Sequence, residues 1–174
     1  MQSITYSAII GIPLIYGKTN LGSTTSGLLV SEVKEKSTEL KEFEDSNLVL
    51  IDGPPGIGCP VIATVSGLDY IITITEPTPS GLHDLQRAIE MVNQFNIPFG
   101  IVINKADLKN ASQKDLNKYI DSSGYEVIGK INFDLSIPEA MSYAEPVVDY
   151  APESVASQAI KKIYTKLKYT LSQL

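Results

Sequence analysis

Short apolar runs alternate along the chain with longer amphipathic stretches, and this alternation constrains the fold more than any other feature. Four runs are apolar enough to form strands: 48–51 (LVLI), 70–75 (YIITIT), 99–103 (FGIVI) and 126–131 (EVIGKI). The first three runs are apolar on both faces, as expected of a strand that is covered by helices on each side. Helical patterns separate the runs, which favours an α/β fold with a mainly parallel sheet and helices on both faces.

The spacing of apolar residues predicts helices in four regions. They cover residues 27–43, 80–95 and 112–119 and a final segment that begins near residue 152. Ser80 is the predicted N-cap of the second helix. Because the sequence contains no internal repeat, low-complexity tract or interdomain linker, we expect one domain that spans residues 1–174.

Charge and cysteine content exclude several functional classes. The formal net charge is −6, whereas a nucleic-acid-binding surface is positively charged, so we expect no nucleic-acid partner. The single cysteine, Cys59, cannot form an intrachain disulfide, which fits a reducing compartment. No apolar run reaches the roughly 18 residues of a membrane-spanning helix, and no signal peptide is recognisable. We therefore expect a cytoplasmic protein without a membrane span.

The most informative motif is DGPPGIGCP at residues 52–60, directly after the first apolar run. In open α/β sheets, ligands bind beyond the carboxyl ends of the strands, where Asp52 is expected. A carboxylate there can hold Mg²⁺ through its water shell, and glycines let backbone N–H groups approach a phosphate. The alternative is a tight connection that binds no ligand. The loop residues predicted to bind nucleotide are Gly53, Pro54, Pro55 and Gly56.

A second polar motif, N-K-x-D at residues 104–107, follows the third apolar run. The Asn104 side chain offers both a donor and an acceptor to the edge of a purine, the stem of Lys105 can lie over the ring, and Asp107 can accept from a ring N–H. A polar turn is the alternative, because so short a motif also occurs by chance.

Residues 17–19, Gly-Lys-Thr, resemble the end of a phosphate-binding loop, G-x-x-x-x-G-K-[ST]. The leading glycine would have to occupy position 12, which is Ile12, and Pro13 removes an N–H donor that such a loop uses. We therefore do not assign this segment to phosphate binding.

Residues 52–60 and 75–85 together resemble the MinD/ParA-superfamily P-loop ATPases that carry an inserted ferredoxin domain, relatives of the nitrogenase iron protein and the Mrp-type cluster carriers. The resemblance runs from about residue 11 to residue 148 and includes residues 104–107 and 129–131. It implies a doubly wound P-loop NTPase fold, a homodimer with Mg-ATP at the dimer face, and a switch loop that responds to the nucleotide.

Carried over by position, the resemblance makes Asp52 the Walker B carboxylate, a catalytic residue that holds Mg²⁺ through water. The switch loop would be Gly53–Gly58, and Asn104 and Asp107 would face adenine. The same resemblance makes Cys59 a candidate ligand of an iron–sulfur cluster, since in the nitrogenase iron protein a cysteine follows the corresponding aspartate by the same seven residues.

The family's N-terminal strand, Walker A loop and ferredoxin insert have no counterpart here, so we expect an N-terminally truncated domain whose own nucleotide binding is weak or absent and which is inactive alone. The expected function is that of an ATP-binding switch ATPase in iron–sulfur or redox metabolism. Its expected partner is an iron–sulfur or redox client protein. Two alternatives stay open. One is a GTPase-like guanine-nucleotide binder, although D-x-x-x-G replaces D-x-x-G, and the other is a non-catalytic interaction or dimerisation module.

Overall fold

The computed structural model describes residues 3–9, 12–18, 26–39, 48–109 and 111–174. The chain groups into two compact units, Met1–Leu68 and Asp69–Leu174. The expectation of a single domain over residues 1–174 remains a prediction.

The first unit contains a β-hairpin and two helices. Strands β1 (Ser3–Ile9) and β2 (Ile12–Lys18) pair antiparallel, and helices α1 (Ser26–Glu39) and α2 (Cys59–Val65) follow. The hairpin was not predicted. Helix α1 begins one residue before the predicted start at residue 27, and the rest of the predicted helix, 40–43, lies outside the described residues.

Lys34 joins α1 to the C-terminal end of α2. Its ammonium donates to the carbonyl oxygens of Ala63 at 3.2 Å and Thr64 at 3.0 Å, and also to that of Ser66. The last carbonyls of a helix have no partner within the helix, so these bonds satisfy acceptors that would otherwise need water. Partial burial lowers the pKa of Lys34 through desolvation.

The predicted strand at residues 48–51 is wrong: the segment has no regular secondary structure, and Leu50 is 84% exposed. A strand needs a neighbour to bond its main-chain N–H and C=O groups. Among the described residues no strand pairs with this segment, so its apolar sequence alone does not make it a strand.

The second unit is a parallel α/β structure, which confirms the predicted fold class. Strands β3 (Ile71–Thr75), β4 (Phe99–Asn104) and β5 (Val127–Ile131) lie in the order β3-β4-β5, close to the three predicted runs. Helices α3 (Pro79–Asn93) and α4 (Ala111–Ser123) connect consecutive strands, and α5 (Ser136–Ser142), α6 (Val147–Tyr150) and α7 (Val155–Leu171) follow. Helices α5 and α6 were not predicted.

The core of this unit lies between the sheet and helices α3 and α4. Ile101 and Ile103 of β4 form a buried cluster with Leu85, Ile89, Leu116 and Ile120 of those helices. Val102, between the two isoleucines, is also buried. Because successive side chains of a strand point to opposite faces, both faces of β4 are covered.

The cap of α3 lies two residues before the predicted one. Thr78, not Ser80, is the N-cap, and its hydroxyl accepts from the backbone N–H of Gly81 at 3.0 Å. Pro79 explains the shift, because proline is favoured in the first helical turn, where its missing N–H has no helical partner to lose. The Thr75 hydroxyl donates to the Gly81 carbonyl at 2.9 Å, so the end of β3 is joined directly to the helix.

Helix α7 packs on β5 and covers its main chain closely. A Cβ atom added at Gly129 would overlap the side chain of Ile163, so this position requires glycine. At the start of the strand, the ammonium of Lys166 pairs with Glu126 at 2.9 Å and donates to the Val127 carbonyl at 3.1 Å.

Candidate functional site

Asp52 lies in the first unit with its carboxylate exposed. The part of the chain that the structure describes contains no hydrogen bond or ion pair to this carboxylate. Magnesium is usually held in proteins by one or two carboxylates together with waters and substrate phosphates. A single unpartnered, exposed carboxylate fits that mode of binding.

The loop after Asp52 has no helix or strand up to residue 58 and is largely exposed. Gly56 has φ +100°, a conformation that residues with a side chain rarely adopt, and the space around its Cα is open. Gly53 lies against α2, where an added Cβ would be 3.1 Å from Cγ2 of Thr64. The four predicted nucleotide-binding residues Gly53, Pro54, Pro55 and Gly56 are therefore accessible to a ligand.

Cys59 is the first residue of α2, and its thiol is exposed and free. Across the described residues, no three His, Cys, Asp or Glu side chains group as a metal site. Cys59 alone cannot hold a mononuclear metal or a cluster within one chain.

In the second unit, polar side chains meet beyond the carboxyl ends of β3 and β4. Oε1 of Glu76, the residue after β3, lies 2.9 Å from the ammonium of Lys105 and accepts from Nδ2 of Asn104 at 3.3 Å. Thr75 and Ile103 are paired in register, so the following residues of both strands come together at this edge. We call Glu76, Asn104 and Lys105 the strand-end triad.

Asp107 has a different partner. Its Oδ1 accepts from the backbone N–H of Phe133 at 2.7 Å, which joins the loop after β4 to the loop after β5. The same loop is held by Gln113, whose side-chain amide donates to the Ala106 carbonyl at 2.7 Å. One carboxylate oxygen of Asp107 therefore already accepts a hydrogen bond from the main chain.

Asp134 joins the starts of two helices. Its Oδ1 accepts from the backbone N–H and the hydroxyl of Ser136, at 2.9 and 2.7 Å, and its Oδ2 accepts from the N–H of Ala156 at 2.9 Å. These bonds favour the ionised form and lower the pKa of Asp134 to about 2. Asp134 thereby ties the loop after β5 to the first turn of α7.

Gly17 and Lys18 lie in β2, paired with Ile4 and Ser3, and not in a loop before a helix. Thr19 lies outside the described residues. In a phosphate-binding loop these residues would lie between a strand and a helix, whereas Gly17 and Lys18 lie within a strand. Their positions therefore give no support for phosphate binding by this segment. Within the described ranges, no helix is long and apolar enough to span a membrane.

Comparison with known proteins identifies the family. The family model described as "ParA: NUBPL iron-transfer P-loop NTPase" matches residues 12–168. The chain belongs to this family. The resemblance to MinD/ParA-type P-loop ATPases inferred from residues 52–60 and 75–85 is thus confirmed at the level of the family.

Two relatives illustrate the match. "Uncharacterized protein MJ0578" of Methanocaldococcus jannaschii is 34% identical over 163 residues, which cover 94% of this chain and 53% of the relative. An "iron-sulfur cluster carrier protein" of Pyrococcus abyssi is 26% identical, covering 84% of this chain and 53% of the relative. This ParA-family chain therefore spans about half the length of the curated relatives that it matches.

Solved structures share the fold. A MinD cell division protein of Aquifex aeolicus superposes with a TM-score of 0.67 at 22% identity, covering 81% of this chain and 61% of that one. A septum site-determining protein MinD of Pyrococcus horikoshii, complexed with Mg-ADP, has a TM-score of 0.61 at 24% identity and covers 77% and 53% of the two chains. At these identities the likeness establishes the fold of this ParA-family chain.

Sequence reasoning missed Glu76 and Asp134. Glu76 could have been found, because it directly follows a predicted strand just as Asp52 does. The role of Asp134 between two helices carries no comparable signal, since its bond from the N–H of Ala156 depends on where α7 packs.

Proposed function

We propose that this ParA-family chain carries the magnesium-binding and base-binding parts of an ATP-dependent switch ATPase. The observation that carries the proposal is Asp52, an exposed carboxylate with no partner among the described residues, followed by an accessible loop of glycines and prolines. The Mg-ADP complex of the MinD relative supports the same class of ligand.

In this proposal Asp52, the loop that follows it and Asn104 have defined tasks. Asp52 holds Mg²⁺ through water, and the bound ion would supply positive charge beside the nucleotide phosphates. The N–H groups of Gly53 and Gly56 approach phosphate oxygens, and Pro54 and Pro55 restrict the loop to few conformations. Asn104 contacts the adenine edge.

A guanine-specific site is less well supported by the residues of the N-K-x-D motif. Guanine recognition would use the Asp107 carboxylate, one oxygen of which already accepts from the Phe133 N–H and orients the group towards the loop after β5. The Lys105 ammonium is likewise paired with Glu76. We therefore propose ATP over GTP.

We further propose a link to iron–sulfur chemistry, in which the complete protein is a homodimer that serves an iron–sulfur or redox client. Support comes from the family description and from the cluster-carrier relatives. In such a dimer, Cys59 from the two copies would supply two of the four thiolate ligands that a shared cluster takes. Cluster reconstitution with and without Cys59 tests this role.

Thermal stabilisation by nucleotide tests the ATPase proposal. With a dissociation constant of about 1 mM, roughly 10 mM Mg-ATP would stabilise the chain by about 1.4 kcal/mol, a shift of about 3–6 °C in Tm. We expect this shift with Mg-ATP, a smaller one with Mg-GTP, and loss of the magnesium-dependent part in Asp52→Asn. The matched control is Asp121→Asn, which removes an exposed carboxylate on α4.

Three results would contradict the proposal. The absence of any shift would leave the interaction module as the better explanation, whereas an equal or larger shift with GTP would favour the guanine binder. An unchanged magnesium dependence in Asp52→Asn would remove the assigned role of that residue.

A further inference from the structure

The contacts within the strand-end triad bear on which purine base the site prefers, a question separate from whether the chain binds a nucleotide. Glu76 Oε1 is shared by the Lys105 ammonium at 2.9 Å and by Nδ2 of Asn104 at 3.3 Å. We propose that Glu76 is a specificity-determining residue: it orients the Asn104 amide so that the site accepts a 6-aminopurine and disfavours a 6-oxopurine. The inference rests on the proposed role of Asn104 at the base.

The orientation follows from the chemistry of the two groups. An ionised carboxylate only accepts hydrogen bonds, so the side of the Asn104 amide that faces Glu76 must be its NH₂ group. The amide is planar, and its carbonyl oxygen therefore points away from the carboxylate. Lys105 supplies positive charge beside Glu76. Its ammonium is only a donor, so it cannot offer a base the acceptor that the Asn104 amide offers.

The outward-facing atom is an unused acceptor. Within the described part of the chain, Oδ1 of Asn104 has no hydrogen-bond partner, although the residue is half-buried. The N6 amine of adenine can donate to that oxygen. The O6 atom of guanine or hypoxanthine would instead bring a second acceptor against it, and that carbonyl would have to compete with Glu76 for Nδ2.

The main chain around Asn104 is fixed by the sheet, so only the orientation of its side-chain amide depends on another contact. Asn104 is paired in register with Ile131 of β5. Two residues later, the backbone N–H of Ala106 donates to the Ile131 carbonyl at 2.9 Å. Lys105 has φ +49°, a left-handed conformation, and its ammonium lies against Glu76. The main chain is thus held on one side by the sheet, while Glu76 holds the side chains on the other.

Adenosine and inosine are suitable probes, because they differ at position 6 of the purine and need no phosphate site. We would titrate each into the full chain at up to roughly 10 mM and follow the side-chain amide signals of Asn104 by NMR. We expect wild type to bind adenosine about two- to tenfold more tightly than inosine, the range of one hydrogen bond. In Glu76→Gln, whose amide can face Asn104 with either atom, the ratio should fall towards one.

The matched control is Glu126→Gln, which breaks an ion pair of the same 2.9 Å length, to Lys166, outside the site. This control should keep the wild-type ratio. A second readout is independent of ligand: the Asn104 side-chain amide signals should move in ligand-free Glu76→Gln and stay in place in Glu126→Gln.

Failure of this inference can be distinguished from failure of the proposed function. An unchanged ratio in Glu76→Gln, an equal loss in Glu126→Gln, or no response to either nucleoside in wild type would each overturn the role of Glu76. Stabilisation by Mg-ATP that still depends on Asp52 would, in any of these cases, leave the ATPase proposal standing.

Discussion

Gly81 in the first turn of α3 offers a sharp test of how the strand-end triad is built. A Cβ atom added there would overlap the backbone carbonyl oxygen of Glu76 and lie 3.0 Å from the Thr78 hydroxyl. Neither group is the free end of a flexible side chain. The Gly81→Ala variant can therefore be accommodated only by moving the main chain at Glu76 or by opening the helix cap at Thr78.

Two effects of opposite sign decide the outcome. Alanine is favoured over glycine within a helix by about 1 kcal/mol. Against this, overpacking typically destabilises by about 1–3 kcal/mol, and loss of an N-cap by about 1 kcal/mol more. We expect Gly81→Ala to lower the free energy of unfolding by about 1–3 kcal/mol, or roughly 2–12 °C in Tm for a chain of this size.

Urea unfolding followed by circular dichroism measures the change, and hydrogen exchange of the α3 amides locates it. The matched control is Gly27→Ala in the first turn of α1, where an added Cβ would lie 3.5 Å from the nearest atom, the Cys59 carbonyl oxygen. That distance is an ordinary contact, so the control should be neutral or stabilised by up to about 1 kcal/mol. If Gly81→Ala were as stable as wild type and the Asn104 amide signals did not move, the close approach of α3 to Glu76 would be refuted.

Two further predictions concern Asp134 and Cys59. Because the pKa of Asp134 is lowered to about 2, the stabilisation from its hydrogen bonds is fully present above about pH 4 and is lost as the pH falls through about 2. We expect Asp134→Asn to have a lower free energy of unfolding than wild type at neutral pH. Urea unfolding between neutral pH and about pH 2 should also show that its free energy of unfolding falls less steeply in acid than that of wild type. A decline as steep in the variant as in wild type would contradict this. For Cys59, anaerobic reconstitution with iron and sulfide should give thiolate-to-iron absorption in a dimeric species of wild type and none in Cys59→Ser, whereas a cluster retained by the variant would exclude Cys59 as a ligand.

Strands β3 and β4 were predictable from sequence because their runs are strongly apolar and each has a neighbouring strand. The run of β5 is more polar, and it too has a strand beside it. The run at residues 48–51 has the same character and yet is not a strand, with Leu50 largely exposed. Composition reports how well a segment would suit a sheet, but whether main-chain partners lie beside it depends on distant parts of the chain. For the same reason the hairpin of β1 and β2 was not predicted, because neither segment has a strong strand pattern by itself and each is a strand only when paired with the other.

The candidate site was predictable where it follows strand ends and hidden where it depends on packing. Asp52 and Asn104 could be selected by their position after apolar runs, and Glu76 obeys the same rule. That Glu76 binds both Asn104 and Lys105 could not be predicted, because it requires the register of β3 against β4 and the left-handed turn at Lys105. The bond that Asp107 accepts from the Phe133 N–H likewise joins two loops that are far apart in sequence.

The contact between Gly129 and Ile163 has a consequence for the order in which the chain acquires its structure. Strand β5 is covered by α7, which follows it in the chain, and the bond that Asp134 accepts from the N–H of Ala156 also requires that helix. While the chain grows from its N-terminus, β3 and β4 can already pair and pack against α3, whereas the face of β5 that α7 covers stays exposed until α7 emerges. Nascent chains that lack α7 would therefore expose this face of β5 to contacts with other chains, and packing of α7 onto the strand removes that risk of aggregation.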